Sequence, residues 1–243
     1  MKIEIKKTKD NNIIQITTLD ERWYHILDVD KFVPSSTWIC DYYPKGIAFY
    51  KWLAEHGWDE AEAIKNAAAE KGSKVHRAIE ALLKGAEIHL NDVFPDSNGE
   101  QGELTVEEWE AIISFYDWWK EAKPRLITFE QVVYNEEQNY AGTLDLICEI
   151  EGEIWIVDFK TSQYIWPSHE LQVSSYFHAD EIKAQKMAIL QIGYRKNKRG
   201  FKFTEVEDKF PLFLAAKQIW ASENDGKQPK QKDYPQSLTL KEG

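Results

Sequence analysis

The sequence predicts an α/β (α+β) domain in which helices flank a central mixed β-sheet. Two observations carry that expectation. Apolar residues recur with helical spacing from Gly46 to Gly85, and the period changes to strand-like alternation between Arg125 and Thr161. The order of segments is helices, then a three-stranded meander, then a helix and more strands, which suggests a mixed sheet. With 243 residues, 43% hydrophobic and 13% aromatic, the chain has material for one large core, or for a core with an appended subdomain.

Taken in order, Ile3, Ile5, Ile14 and Ile16 alternate around "KDNN" and predict an N-terminal β-hairpin. The stretch "RWYHILDVDKFVPSSTWICDYY" is aromatic-rich and irregular, with strand character near Tyr24–Leu27. Three helical pieces follow: "IAFYKWLAEHG", "WDEAEAIKNAAAEKG" and "SKVHRAIEALLKG", each stopping at a glycine, with Gly85 suited to a C-terminal cap. Residues 86–104 are polar with Gly and Pro and read as a loop. "TVEEWEAIISFYDWWKEAKP" has Thr105 and Glu108 in capping-box spacing and stops at Pro124. "RLITFEQVVYN", "GTLDLICEI" and "EIWIVDFKT" are strands, the last two joined by "EG". "SHELQVSSYFHADEI" is helical, "KMAILQIGYRKN" and "GFKFTEVE" form a hairpin, and "PLFLAAKQIWASEN" is a helix with Pro211 at its start. The expected division is a β-rich segment (1–45) packed on the core, the core itself (46–223) and a polar tail (224–243).

Composition narrows the function classes. Cys40 and Cys148 are too few for a disulfide framework, a four-cysteine zinc site or an iron–sulfur cluster, and read as buried apolar residues. No run approaches a membrane span and the N-terminus lacks a signal-peptide pattern, so the expected location is soluble and cytoplasmic. A net charge of −11 argues against a nonspecific basic nucleic-acid binder, although a groove needs only local positive charge.

The informative stretch is "NYAGTLDLICEIEGEIWIVDFKTSQ". Side chains alternate along a strand, so Asp158 and Lys160 point one way while Trp155, Val157 and Phe159 take the opposite, buried face. Asp145 lies across the turn, and Glu130 one strand earlier. Three carboxylates and a lysine can thus converge at one end of a sheet. Carboxylate oxygens suit Mg²⁺ or Mn²⁺, and a neighbouring lysine can hold or help deprotonate an attacking water. For "DFK" alone, an ordinary salt-bridged sheet face is the better explanation, since short motifs match by chance.

The set "AGTLDLI…IWIVDFKTS" closely resembles the PD-(D/E)XK nuclease superfamily, in particular its RecB-like exonuclease branch. The matching residues are Gly142-x-x-Asp145, Asp158-x-Lys160 and Gln172-x-x-x-Tyr176, with His76 upstream on a helix. The resemblance implies a restriction-endonuclease-like core. It also implies metal binding by His76, Asp145, Asp158 and the Phe159 carbonyl, with Lys160 positioning water and Glu130 a ligand or supporting group. Gln172 and Tyr176 would contact DNA or brace Lys160. Glu80 is a weaker candidate that also reads as an exposed helix charge, and the other five histidines read as surface or packing residues. The hairpin tip carrying Arg195, Lys196, Lys198 and Arg199 is expected to track a DNA backbone, or to be a solvated turn.

The expected function is a Mg²⁺- or Mn²⁺-dependent DNA exonuclease acting on linear ends in recombination, repair or end processing, stand-alone as in bacteriophage-type or mitochondrial-type exonucleases. The role leaves room for a homo-oligomer or a recombination partner protein. An endonuclease of the same fold, and a non-catalytic DNA-binding module, are the alternatives.

Overall fold

The computed structural model describes residues 4–7, 12–18, 21–97, 99–179, 181 and 183–229. Strands β1 (Glu4–Lys7), β2 (Ile13–Thr17), β3 (Arg22–Ile26) and β4 (Lys31–Pro34) form an antiparallel sheet in that order. The expected hairpin is therefore present, with Ile5 opposite Ile16, while Ile3 and residues 9–11 of "KDNN" lie outside the described residues. The stretch that reads as irregular after Leu27 is ordered. It holds a 3-10 turn, β4 and the short helix α1 (Ser36–Asp41), capped by Ser35, whose Oγ accepts the Trp38 amide at 3.0 Å. Six residues are too few for helical periodicity to show.

Helix α2 (Ile47–Leu83) leaves helical geometry at Gly57, where φ is 73°, as the sequence suggests. It does not break at Gly72, because one glycine costs only about 1 kcal/mol and strong helix formers stand on both sides. The polar segment 86–104 contains a small ribbon, β5 (Val93–Pro95) with β6 (Gln101–Glu103), rather than loop alone. Helix α3 (Val106–Ala122) starts with the expected capping box: Glu108 N donates to Thr105 Oγ1 at 3.3 Å and Thr105 N to Glu108 Oε2 at 2.7 Å. Such a cap contributes about 1 kcal/mol.

Next come β7 (Arg125–Asn135), β8 (Tyr140–Ile150), β9 (Glu153–Lys160), α4 (Pro167–Ala179), β10 (Lys186–Ile192), β11 (Phe201–Glu205) and α5 (Phe210–Asn224). The central sheet has the order β11-β10-β9-β8-β7, antiparallel except for the β9–β10 pair. A parallel neighbour requires a crossover, which α4 supplies. The expected mixed sheet is thus observed, and of the expected tail residues 230–243 lie outside the described residues.

Two apolar layers clamp the sheet. On one face Val75 and Ile79 of α2 and Phe115 of α3 pack with Val157, Phe159 and Leu190. On the other, Ile39 of α1, Leu171 of α4 and Phe213 of α5 pack with Ile147, Ile156 and Ile189. Both cysteines are buried, as expected. Trp23 of β3, Trp38 of α1 and Trp220 of α5 meet edge to face, with centroids 5.1, 5.9 and 5.2 Å apart. Truncating Trp23, 2% exposed, should cost about 3–5 kcal/mol.

Gly142 of β8 sits where α4 comes closest. A Cβ there would stand 2.4 Å from Tyr176 Cε1 and 3.1 Å from Ser36 Oγ. Gly142→Ala is therefore expected to destabilise by about 1–3 kcal/mol. Thermal unfolding followed by circular dichroism should show a midpoint several degrees lower, at about 2–4 °C per kcal/mol for a chain of this size.

Candidate active site

The site begins where two strands part. The β8–β9 ladder ends at Leu146↔Val157, while β9 stays paired with β10 as far as Gln191↔Lys160. At the fork the Phe159 N–H donates to Asp145 Oδ2 at 2.7 Å, so a side chain replaces the missing ladder bond. Burying that amide unpaired would cost about 1–3 kcal/mol.

A second irregularity aims the carboxylates. Residues two apart on a strand share a face. Yet Leu144 packs in the core beside α4 and α5, and Leu146 in the core beside α2 and α3. On β7, Val133 and Phe129 are divided in the same way. The faces exchange at Glu130 and Asp145, which the register places opposite each other between Phe129↔Leu146 and Gln131↔Leu144. Glu130 has a φ of 47°, a left-handed conformation that costs a non-glycine residue about 1–3 kcal/mol and is typical of functional sites.

This twist brings Glu130 and Asp145 to His76 of α2. One donor atom from each of the three lies within 4.8 Å of the others, and His76 Nδ1 is 3.2 Å from Asp145 Oδ1. Adjacent ligands of a six-coordinate cation with bonds of about 2.1 Å are about 3 Å apart. Two carboxylates and an imidazole therefore fit a small divalent cation in both spacing and chemistry. His76 is held in place because its helix neighbours Val75 and Ile79 are fully buried against the sheet, and its ring meets Phe159 edge-on at 5.8 Å.

Asp158 and Lys160 approach from the other side of β9. Lys160 Nζ is 2.6 Å from Asp158 Oδ2, off the line a hydrogen bond needs, so that buried oxygen keeps unused acceptor capacity. Lys160 donates instead to Gln172 Oε1 at 3.2 Å. Gln172 Nε2 in turn donates to Tyr176 OH at 2.6 Å and to Thr37 Oγ1 at 3.2 Å. Gln172 and Tyr176, one helical turn apart, thus form a brace for Lys160.

Electrostatics divide the two aspartates. Burial works to raise the Asp145 pKa, but the His76 charge and hydrogen bond, Lys160 and the Phe159 amide hold it below its ordinary value. Burial, reinforced by the Asp145 charge, pushes Asp158 up to about 6 against the pull of Lys160. Burial opposes the charged forms of Lys160 and His76 as well. In both cases the neighbouring carboxylates win and the pKa is raised, so Lys160 is an ammonium at neutral pH.

His76 and Lys160 line a cleft of ≈ 500 Å³ whose walls also include Phe159, Gly72, His169 and Arg195. Across its rim Glu107 of α3 bridges Lys71 at 2.8 Å and Arg195 at 2.6 Å. Those two hydrogen-bonded cations hold the Glu107 carboxyl down to about 2. Burial, with Lys160 and Lys45 adding to it, lowers His169 to about 3, so it presents a neutral imidazole. Glu107, His169 and Thr37 are not legible as site residues in the sequence. His169 reads there only as a surface or packing residue.

Of the basic tip, Arg195 lines the cleft, Lys196 covers the Tyr164 ring at 3.7 Å, and Arg199 pairs with Glu121 of α3 and lies over Phe201. Lys198 enters none of these contacts. Glu80 is ion-paired with Arg77 at 3.2 Å and Lys84 at 2.8 Å on α2, apart from the cluster.

A family model described as the PD-(D/E)XK nuclease superfamily matches residues 48–231. The chain belongs to that superfamily. Among solved structures, "Crystal structure of SSO0001" is similar with a TM-score of 0.33 at 13% identity, covering 48% of this chain and 59% of that one. The present chain thus spans 59% of that protein's length. An alkaline exonuclease (LHK-Exo) from Laribacter hongkongensis is similar with a TM-score of 0.37 at 8% identity, covering 78% of this chain and 88% of that one. No curated protein matches the sequence significantly. Among the described residues of this PD-(D/E)XK chain, no helix is long and apolar enough to cross a membrane.

The brace gives a test that separates positioning from substrate contact. Gln172→Leu is expected to lower the hydrolysis rate constant about 10- to 100-fold, the scale of a small misplacement of a reacting group. KM for the nucleic acid should stay near wild type, and Gln172→Glu, which restores an acceptor, should recover part of the rate. Steady-state kinetics check this; a raised KM with unchanged kcat would make Gln172 a substrate contact instead.

Proposed function

We propose that the chain is a divalent-metal-dependent deoxyribonuclease that hydrolyses phosphodiester bonds from DNA ends, with Mg²⁺ or Mn²⁺ as the metal. The observation that carries this reading is the meeting of the His76, Glu130 and Asp145 donors with a braced, protonated Lys160 at the edge of one cleft. His76, Glu130 and Asp145 would hold the cation, with Asp158 and the Phe159 carbonyl beside it on β9. When bound, such a cation polarises a phosphodiester and eases the deprotonation of water.

The chain's own residues do the rest. Lys160, kept charged by Asp158 and Asp145, donates to the attacking water or to a non-bridging phosphate oxygen and offsets the negative charge carried by the phosphoryl oxygens in the transition state. Water oxygen bonds to phosphorus as the P–O bond to the leaving alkoxide breaks; the water gives up a proton to solvent and the alkoxide takes one from solvent to leave as the alcohol. The Gln172–Tyr176–Thr37 network fixes the lysine so that little reorganisation is needed at that moment. Arg195 and Lys71 at the rim supply the local positive charge for an anionic strand. The exonuclease reading is supported by the Gln172-x-x-x-Tyr176 helix of the RecB-like resemblance and its place beside Lys160.

The reading is tested with end-labelled linear DNA and closed circular DNA, each with Mg²⁺, Mn²⁺ or chelator. Linear DNA alone should be degraded, only with metal. Asp145→Asn and Lys160→Ala should lower the rate at least about 10³-fold, the order lost when one charge-stabilising group is removed. Cleavage of the circle would establish an endonuclease, and binding without cleavage a non-catalytic module.

Glu107 occupies the two rim cations that a phosphate would use. Glu107→Gln is therefore expected to tighten DNA binding several-fold at low ionic strength and to steepen its salt dependence, as one or two more counterions are released. Fluorescence anisotropy across a salt series checks both.

A further inference from the structure

The loop leaving the catalytic strand holds two large rings in water. Tyr164 and Trp166 are 59% and 54% exposed. A free loop would bury such rings, which carry 150–250 Å² of surface each in general. Here the backbone is pinned along its length. Ser162 Oγ donates to the Tyr164 carbonyl at 2.7 Å, and Gln191 Nε2 donates to the Ser162 carbonyl at 2.8 Å. The Gln163 side chain donates to the Gly193 carbonyl at 2.8 Å and accepts the Arg195 amide at 2.9 Å, and the His169 amide donates to the Trp166 carbonyl at 2.9 Å. The two ring centroids are 5.9 Å apart with planes 39° off parallel, so the rings do not cover each other.

Their position ties them to the cleft. Thr161, Ser162 and Gln163 of this loop line it together with Lys160 and Arg195. Tyr164 follows Lys160 by four residues, which keeps the two Cα atoms within about 14 Å. That separation is a few nucleotides along a strand. Beside the rings stand cations, with Lys196 Nζ 3.7 Å from the Tyr164 centroid and Arg195 at the rim.

We propose that Tyr164 and Trp166 form a stacking site for unpaired nucleobases of the strand whose phosphodiester lies at Lys160. The proposal rests on the nuclease reading above and adds to it a substrate preference. Two exposed rings, Tyr164 with Lys196 over one face, continuous with a phosphate-handling cleft, match a single strand: the ring faces left uncovered take the bases and the cations the backbone. A paired duplex buries those faces in its own stack, so the segment held here is single-stranded or frayed at its end.

The test measures binding in a Lys160→Ala background with Mg²⁺, where the ligand stays intact, while cleavage by wild type is assayed in parallel. The ligands are a labelled oligothymidylate and an abasic oligonucleotide of the same length. The background protein should prefer the base-bearing strand. Adding Tyr164→Ala and Trp166→Ala should weaken that binding about 5- to 150-fold and leave abasic binding and the salt slope unchanged. Tyr164→Phe with Trp166→Phe should restore the preference, which excludes a folding defect. Equal affinity for both ligands, with wild type still cleaving DNA, would overturn the stacking site alone and mark the rings as a protein-contact surface. Equal losses on both ligands would also overturn it. Absence of both binding and cleavage would overturn the nuclease reading along with it.

Discussion

One hydrogen bond organises this molecule's chemistry, the Phe159 amide on the Asp145 carboxylate. A sheet that kept pairing to its end would leave no opening between β8 and β9. A sheet that merely stopped would bury an unsatisfied amide. The aspartate resolves the conflict, ending the ladder while pairing the orphan donor, at a bond strength of about 1.5–3 kcal/mol for a charged acceptor. Its other oxygen is then free to face His76 at 3.2 Å. The left-handed Glu130 opposite is the strain that accompanies this arrangement.

Both helical layers hold the fork in place from outside. On one face the buried Val75, Ala78 and Ile79 dock α2 so that His76 meets the carboxylates. On the other, the missing side chain of Gly142 lets Tyr176 approach the sheet, which brings Gln172 to Lys160. The residue pattern Gly-x-x-Asp thus couples a packing requirement to a chemical one, three residues apart on the same strand. Core packing and site geometry are set by the same contacts, so they cannot be tuned independently.

An acidic chain with an acidic site must still attract a polyanion. The net charge of −11 is a property of the whole surface, while Lys71 and Arg195 both line the cleft. Glu107 pairs with both of them. Lys160 is the complementary case: buried among carboxylates, it stays charged because Asp158 and Asp145 outweigh the cost of burial.

The sequence by itself determined the element types over most of the chain, the capping box at Thr105, the β10–β11 hairpin and the family, because each is written in local spacing. Period 2 marks strands, and an ordered set of short motifs is specific where one alone is not. It also pointed to His76, Glu130, Asp145, Asp158, Lys160, Gln172 and Tyr176 as residues of one place, with Glu130 left open as a ligand or a supporting group. Strict alternation, however, puts Leu144 and Leu146 on one face and hides the exchange of faces at Asp145, since a twist in the backbone leaves no mark in composition. Only the tertiary structure decided that Glu130 joins His76 and Asp145, that Gln172 braces the lysine, and that Glu107 and the Tyr164–Trp166 loop stand at the rim. Those relations join residues far apart in the chain, and they exist only once helices packed on opposite faces fix the two ends of the same strands.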